Sequence, residues 1–190
     1  MFDPSRHGPP TIEDLLQIDD GVEREAVRGE LRGRPWTPRD RRHARCAAVV
    51  ACVLLTWLDS QPEGYGIEAA SNPGIRLCRD PRTIIGSDVA LFTQEVAARS
   101  PAYPFYDGVP LLAVEVLSPT DLQGVIDEKI DLFLEAGTPL VWLIDPHFHT
   151  VTIVRPDAPP RLVAEPDTLD AEPHLPGFAV PVARLFGPRP

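Results

Sequence analysis

Apolar residues along this chain fall in blocks of strand length and helix length. Leu111 to Leu117 reads LLAVEVL, a continuous apolar run broken by one glutamate, which predicts a strand covered on both faces. Leu140 to Ile144 is a second such run, and the β-branched stretch Thr150 to Arg155 is its partner across the Asp145-Pro146 turn. Between the two runs, Leu122 to Ala136 carries apolar residues at helical spacing and stops at Gly137, with Pro139 beyond. Ile75 to Cys78 and Thr83 to Phe92 predict two strands around the turn Arg79-Asp80-Pro81-Arg82. Glu25 to Leu31 predicts a strand or hairpin arm, Thr11 to Leu16 a short helix capped by Thr11, and residues 93–109 a loop or short helix. Pro38 to Leu58 predicts a long helix whose almost wholly apolar second half should be buried on most sides against a sheet. Helices interleaved with apolar strands imply an α/β sandwich, a central mixed β-sheet flanked by helices.

A length of 190 residues suits a single domain with a real core, expected over residues 11–155. Residues 156–190 read as a proline-rich extension packed along that core or partly flexible. The net charge of −10 argues against a general nucleic-acid binder. Its distribution is uneven: eight arginines face four acids between Glu23 and Arg45, whereas six acids face two arginines from Asp145 to Glu172. One basic face on an acidic protein is therefore compatible with the composition. Cys46, Cys52 and Cys78 form no close-spaced pair, which suits reduced thiols in a cytoplasmic protein, with Cys46 and Cys52 as small core residues. The N-terminus lacks a basic-then-apolar leader pattern, and the apolar run Cys46 to Leu58 is too short to span a bilayer.

Three residues carry the chemistry. Glu115 stands alone inside an apolar strand, and burying an unpaired carboxylate costs several kcal/mol, roughly, unless it is paired, protonated or metal-bound. Asp88, in Gly86-Ser87-Asp88-Val89-Ala90-Leu91, places a second acid near the middle of a second apolar strand. Two carboxylates on neighbouring strands can share a hard cation such as Mg²⁺, which takes oxygen ligands and keeps open water positions. The third is Lys129, the one lysine among seventeen arginines. At about 100° per residue it lies on the edge of the helix face formed by Leu122, Ile126, Ile130, Phe133 and Leu134, opposite Asp127, Glu128, Asp131 and Glu135. Its ammonium is thus aimed toward the sheet that holds Glu115, although a lysine snorkelling at a helix rim would share this position.

Several stretches together resemble the Uma-two family of bacterial restriction-endonuclease-like proteins, in the PD-(D/E)XK nuclease superfamily. They are Ser87-Asp88-Val89-Ala90, VEVLSPTD from Val114 to Asp121, DEKIDLFLEAG from Asp127 to Gly137 and VWLIDP from Val141 to Pro146. A looser likeness extends from about Thr11, through TIEDLL and REAVRGEL, to Phe186. The resemblance implies a restriction-endonuclease-like sandwich and a Mg²⁺- or Mn²⁺-dependent endonuclease. In it Asp88 is the first motif acid, Glu115 the second, and the backbone carbonyl of Val116 a further metal ligand. Leu117 occupies the usual lysine position, and Lys129 would supply the ammonium from the following helix. Departures from the pattern are Ser87 for the motif proline, Phe133 for a tyrosine, and Asp40 for a histidine near the start of the long helix.

The implied reaction is hydrolysis of nucleic-acid phosphodiester bonds, DNA foremost. Metal-bound water is the nucleophile, and Lys129 orients or deprotonates it or stabilises developing charge. Glu30 extends the candidate site from the first hairpin, and Arg39, Arg41 and Arg42 could meet the phosphate backbone or form a solvated face. A homodimer is compatible with cutting both strands. His147-Phe148-His149 reads as a surface turn, Ser118 as a helix cap and Asp145 as a turn former. Two other functions stay open: a non-catalytic nuclease-fold binding or assembly protein, and a metal-dependent hydrolase of smaller phosphoesters.

Overall fold

The structure is a computed structural model that describes residues 22–35, 40–99 and 105–186. The short helix expected at Thr11 to Leu16 lies outside them. The chain opens with a hairpin, β1 (Val22–Val27) and β2 (Glu30–Pro35), followed by the long helix α1 (Arg41–Asp59). Strands β3 (Ile67–Ser71), β4 (Gly74–Arg79), β5 (Arg82–Gly86) and β6 (Val89–Thr93) lead to the short helix α2 (Gln94–Arg99) and β7 (Tyr106–Asp107). Then come β8 (Leu112–Val116), helix α3 (Gln123–Ala136), β9 (Val141–Asp145) and β10 (Thr150–Arg155). The last segment forms β11 (Ala158–Ala164), β12 (Thr168–Asp170), β13 (Ala179–Pro181) and α4 (Val182–Phe186).

The central sheet is six-stranded and mixed, in the order β11-β10-β9-β8-β6-β3. Only β8 and β9 run parallel in it, with Glu115 opposite Leu143, and α3 is the crossover that parallel pairing demands. Gly137 ends α3 at φ 101°, a left-handed conformation that glycine adopts without a Cβ penalty. A second, five-stranded sheet, β2-β1-β5-β4-β7, was not foreseen. It arises because Thr83 to Phe92 is not one strand. The chain bends at Ser87 and Asp88, sending β5 into one sheet and β6 into the other.

Two apolar cores cover the central sheet. On one face Leu112, Val114 and Val116 of β8 pack with Cys46, Val50 and Leu54 of α1, and with Leu169, Phe178 and Leu185 of the C-terminal segment. On the other, Ala113 and Phe92 pack with Phe133 of α3 and with Ile75 and Ile85 of the second sheet. Strand alternation gives Glu115 the parity of Ala113, so it faces α3. Helix α1 is not buried on most sides, as its composition suggests. His43, Cys46, Val50, Val53, Leu54 and Trp57 form a single buried face, while Leu55 is 48% exposed and Cys52 is a surface thiol rather than a core residue. The sheet and the C-terminal segment cover the inner face of α1; Leu55 and Cys52 project from its outer side.

One structural ion pair sits away from these cores. Buried Arg76 of β4 donates from Nε (2.8 Å) and Nη2 (2.6 Å) to the two carboxylate oxygens of buried Asp107, and Arg79 joins them. Hydrogen bonding by Arg76, aided by charge and by Arg79, outweighs burial and holds Asp107 below the usual aspartate pKa. Asp107→Ala would leave Arg76 without this partner and should cost about 3–5 kcal/mol in urea unfolding at neutral pH. A lowered carboxylate pKa stabilises above its unfolded value and ceases to do so as pH falls through the folded one. The gap between wild type and variant should therefore close in acid; a gap independent of pH would contradict the assignment.

Candidate active site

The bend between β5 and β6 is what presents Asp88. Ser87 is buried, and its hydroxyl donates to the carbonyl oxygens of Val89 (3.0 Å) or Val114 (2.9 Å), pinning the bend onto β8. The Asp88 N–H donates to the Val114 carbonyl (3.1 Å). Asp88 thus sits at a kink between strands, not mid-strand. Its Oδ2 accepts the Val116 N–H at 2.7 Å, which ties the first acid to the residue after Glu115. Its Oδ1 lies 3.3 Å from Nε2 of His43, a buried side chain in the first turn of α1. Burial would raise the Asp88 pKa, but His43, the Val116 N–H and Lys129 together hold it below the ordinary value.

Glu115 and Lys129 are in direct contact. Lys129 Nζ donates to Glu115 Oε2 at 2.7 Å, with both side chains largely buried. The inward placement expected from helix periodicity is realised. Burial pushes the Glu115 pKa up to about 7, against the opposing pull of Lys129, and the nearby Asp88 and Glu25 carboxylates add to the rise. Burial alone would lower the Lys129 pKa, yet Glu115, Glu25 and Asp88 together raise it above the ordinary lysine value. Glu115 Oε1 is buried with no hydrogen-bond partner.

The structure changes the supporting cast. Glu30 side chain is 78% exposed on β2 and lies 3.7 Å from Arg32, so it does not join the cluster. The hairpin glutamate that does is Glu25 on β1, whose Oε1 accepts the Gly86 N–H at 3.1 Å just before the bend. Two glutamates on the separate arms of a short hairpin give no sequence signal for which one turns inward. Asp40 does not replace a histidine. It is the N-cap of α1, accepting the Arg42 and His43 N–H groups at 2.7 and 3.0 Å, and His43 three residues later is the histidine that reaches the site. A capping aspartate three residues before a histidine on the buried helix face was the signal available.

Arg41 and Arg42 are exposed at the start of α1, and Arg39 lies outside the described residues. Arg42 Nη1 approaches Nδ1 of His147 at 3.3 Å, and the other ring nitrogen of His147 lies 3.3 Å from Asp40. The turn after β9 is therefore latched to the helix that carries His43. Asp145 shapes that turn, its Oδ1 accepting the His147 and Phe148 N–H groups. Ser118 does not cap a helix; its own N–H is capped by Asp121 at 2.8 Å.

Among the described residues, no group of three or more His, Cys, Asp or Glu side chains is arranged to hold a metal ion. Mg²⁺ makes a different demand, since it is commonly held by one or two carboxylates and keeps several waters. Asp88 and Glu115 supply that donor set, and the unpartnered, buried Glu115 Oε1 is a carboxylate oxygen without a protein donor. The residues fit such an ion.

The Uma2 family model, described as "Putative restriction endonuclease", matches residues 12–183. The chain belongs to the Uma2 family. A crystal structure from Anabaena variabilis, described as a "putative nuclease belonging to DUF820", is similar at 20% identity and a TM-score of 0.75, covering 94% of this chain and 98% of that one. This likeness shows a restriction-endonuclease-like fold. A search of curated proteins finds no match.

Ser87 holds the bend by hydrogen bonds, and Phe133 is fully buried in the core on the α3 side. The Glu115–Lys129 pair makes a stability prediction. Lys129→Met leaves Glu115 buried without its counter-ion, at a cost of about 3–5 kcal/mol at pH 8. A carboxylate whose folded pKa is raised destabilises as pH climbs from its unfolded value through the folded one, and not below. Stability of the variant relative to wild type should thus recover toward pH 4; equal stability at pH 8 would refute the pairing.

Proposed function

We propose that this protein is an endonuclease that hydrolyses nucleic-acid phosphodiester bonds, DNA foremost, with Mg²⁺ or Mn²⁺ as its cofactor. The observation that carries the reading is Glu115, a buried carboxylate with one oxygen on Lys129 and the other without a partner, beside Asp88. Asp88, Glu115 and the Val116 carbonyl would hold the ion, which when bound acidifies a water and offsets charge on the phosphoryl oxygens.

The chain's own groups have separable tasks. The Val116 N–H fixes one oxygen of the Asp88 carboxylate, and His43 Nε2 lies 3.3 Å from the other. Among the described residues Lys129 is the cation in contact with Glu115, and surrounding carboxylates favour its charged form. It therefore acts as a proton donor and charge stabiliser at the phosphate oxygens rather than as the base that activates water. Arg42, exposed in the first turn of α1 and in contact with His147, is the arginine of that helix placed to meet strand phosphates.

Cleavage of single- and double-stranded DNA and RNA oligonucleotides in Mg²⁺ or Mn²⁺ tests the reading. Wild type should cut at least one of them, and Glu115→Gln and Lys129→Ala should each lose roughly a hundredfold or more in rate. Nucleic-acid binding without cleavage by any of the three proteins would instead mark a non-catalytic member of the fold. Cleavage undiminished in Lys129→Ala would remove the lysine from the reaction.

A further inference from the structure

Beside the acid cluster lies a cavity of about 260 Å³ that the proposed chemistry does not use. Its walls come from three segments next to the candidate site: the loop that follows β8, the start of α3 before Lys129, and the end of β9 with the turn after it. Ser118, Asp121, Gln123, Asp145, His147 and Phe148 line it. Phe148 stands 80% exposed at the tip of a turn that Asp145 pins by accepting two backbone N–H groups. Leu122, at 71%, and Val125, at 44%, are exposed at the start of α3, next in sequence to the lining residues Gln123 and Ile126.

We infer that this cavity receives one unpaired nucleobase of the strand being cut, with Phe148 as its stacking platform. The inference rests on the nuclease reading above and names its substrate class: single-stranded or locally unpaired nucleic acid. Charge selects the occupant. Two carboxylates, Asp121 and Asp145, line the cavity and disfavour a phosphate inside it, while offering acceptors to the amino groups of a base edge. Arg42 sits at the wall through its contact with His147, where the phosphate of the same nucleotide would remain outside. The volume lies below the range usual for drug-sized ligands, about 300–1,000 Å³, and suits a single planar ring system. The lining residues Leu117 and Ser118 follow Glu115 by two and three positions and Ile126 precedes Lys129 by three, so that nucleotide would lie near the scissile phosphate.

The test is cleavage of single-stranded DNA and RNA oligonucleotides in which one base at a time is replaced by an abasic residue, with a matched duplex as comparison. For wild type, removing the base beside the cut should lower kcat/KM roughly tenfold, and the duplex should be cut more slowly than the single strand. Phe148→Ala should cut the intact strand at that lowered rate and be indifferent to the abasic residue, and Phe148→Trp should restore both rate and discrimination. Because Phe148 is exposed, the thermal midpoint of both variants should match wild type, so a loss cannot be one of folding. If wild type cuts but no abasic position matters, or Phe148→Ala discriminates as wild type does, the base site is overturned and the nuclease stands. A duplex cut as fast as the single strand overturns it equally. If wild type neither binds nor cuts any oligonucleotide, the nuclease reading fails and the base site with it.

Discussion

A carboxylate on the inner face of a fully buried strand, held by the one lysine of the chain, organises this structure. Glu115 is on the α3 side of the sheet because strand alternation leaves Leu112, Val114 and Val116 for the other core. Lys129 meets it because α3 must return across the same face to make β9 parallel to β8. Of the two, Glu115 is the one disfavoured there as an ion. Burial lifts Glu115 toward neutrality, and one of its oxygens has no partner. Pairs of this kind seldom add net stability over apolar residues of similar size, so retention at such a place points to chemistry rather than to folding.

The remaining groups follow from that constraint. The bend at Ser87 and Asp88 exists because the chain leaves one sheet for another, and the bend delivers the second carboxylate to the end of β8. Helix α1 contributes its buried first turn, His43, to the same point, and the latch from Arg42 and Asp40 to His147 joins the turn after β9 to that helix. Elements distant in sequence thus converge on one edge of the sheet. Membership of the Uma2 family and the fold shared with the DUF820 protein from Anabaena variabilis are consistent with that convergence.

Much of this was legible in the residues. Unbroken apolar runs identified β8 and β9, helical periodicity placed Lys129 inward, and the isolated Glu115 proved to be the carboxylate that Lys129 meets. The rest depended on long-range geometry. A continuous stretch from Thr83 to Phe92 gives no local sign that it serves two sheets, since β-branched and apolar residues suit both halves. The choice of Glu25 over Glu30 rests on which face of a hairpin meets β5, a tertiary matter. His43 was overlooked because Asp40 drew the comparison one turn too early, although both residues belong to a single device, a cap and the side chain it helps to position. The apolar composition of α1 overstated its burial, since residues such as Leu55 lie outside the layer contact.

The central claim is that Glu115 and Asp88 form an oxygen site for a divalent cation. Titration of wild type and Glu115→Ala with Mg²⁺ and Mn²⁺, followed by the thermal unfolding midpoint, tests it without assuming a substrate. A ligand that binds only the folded state stabilises it by about 2.7 kcal/mol at a hundred times its dissociation constant. Wild type should gain such a saturable rise in midpoint and the variant should not. A rise of the same size in both proteins, or in neither, would contradict the account.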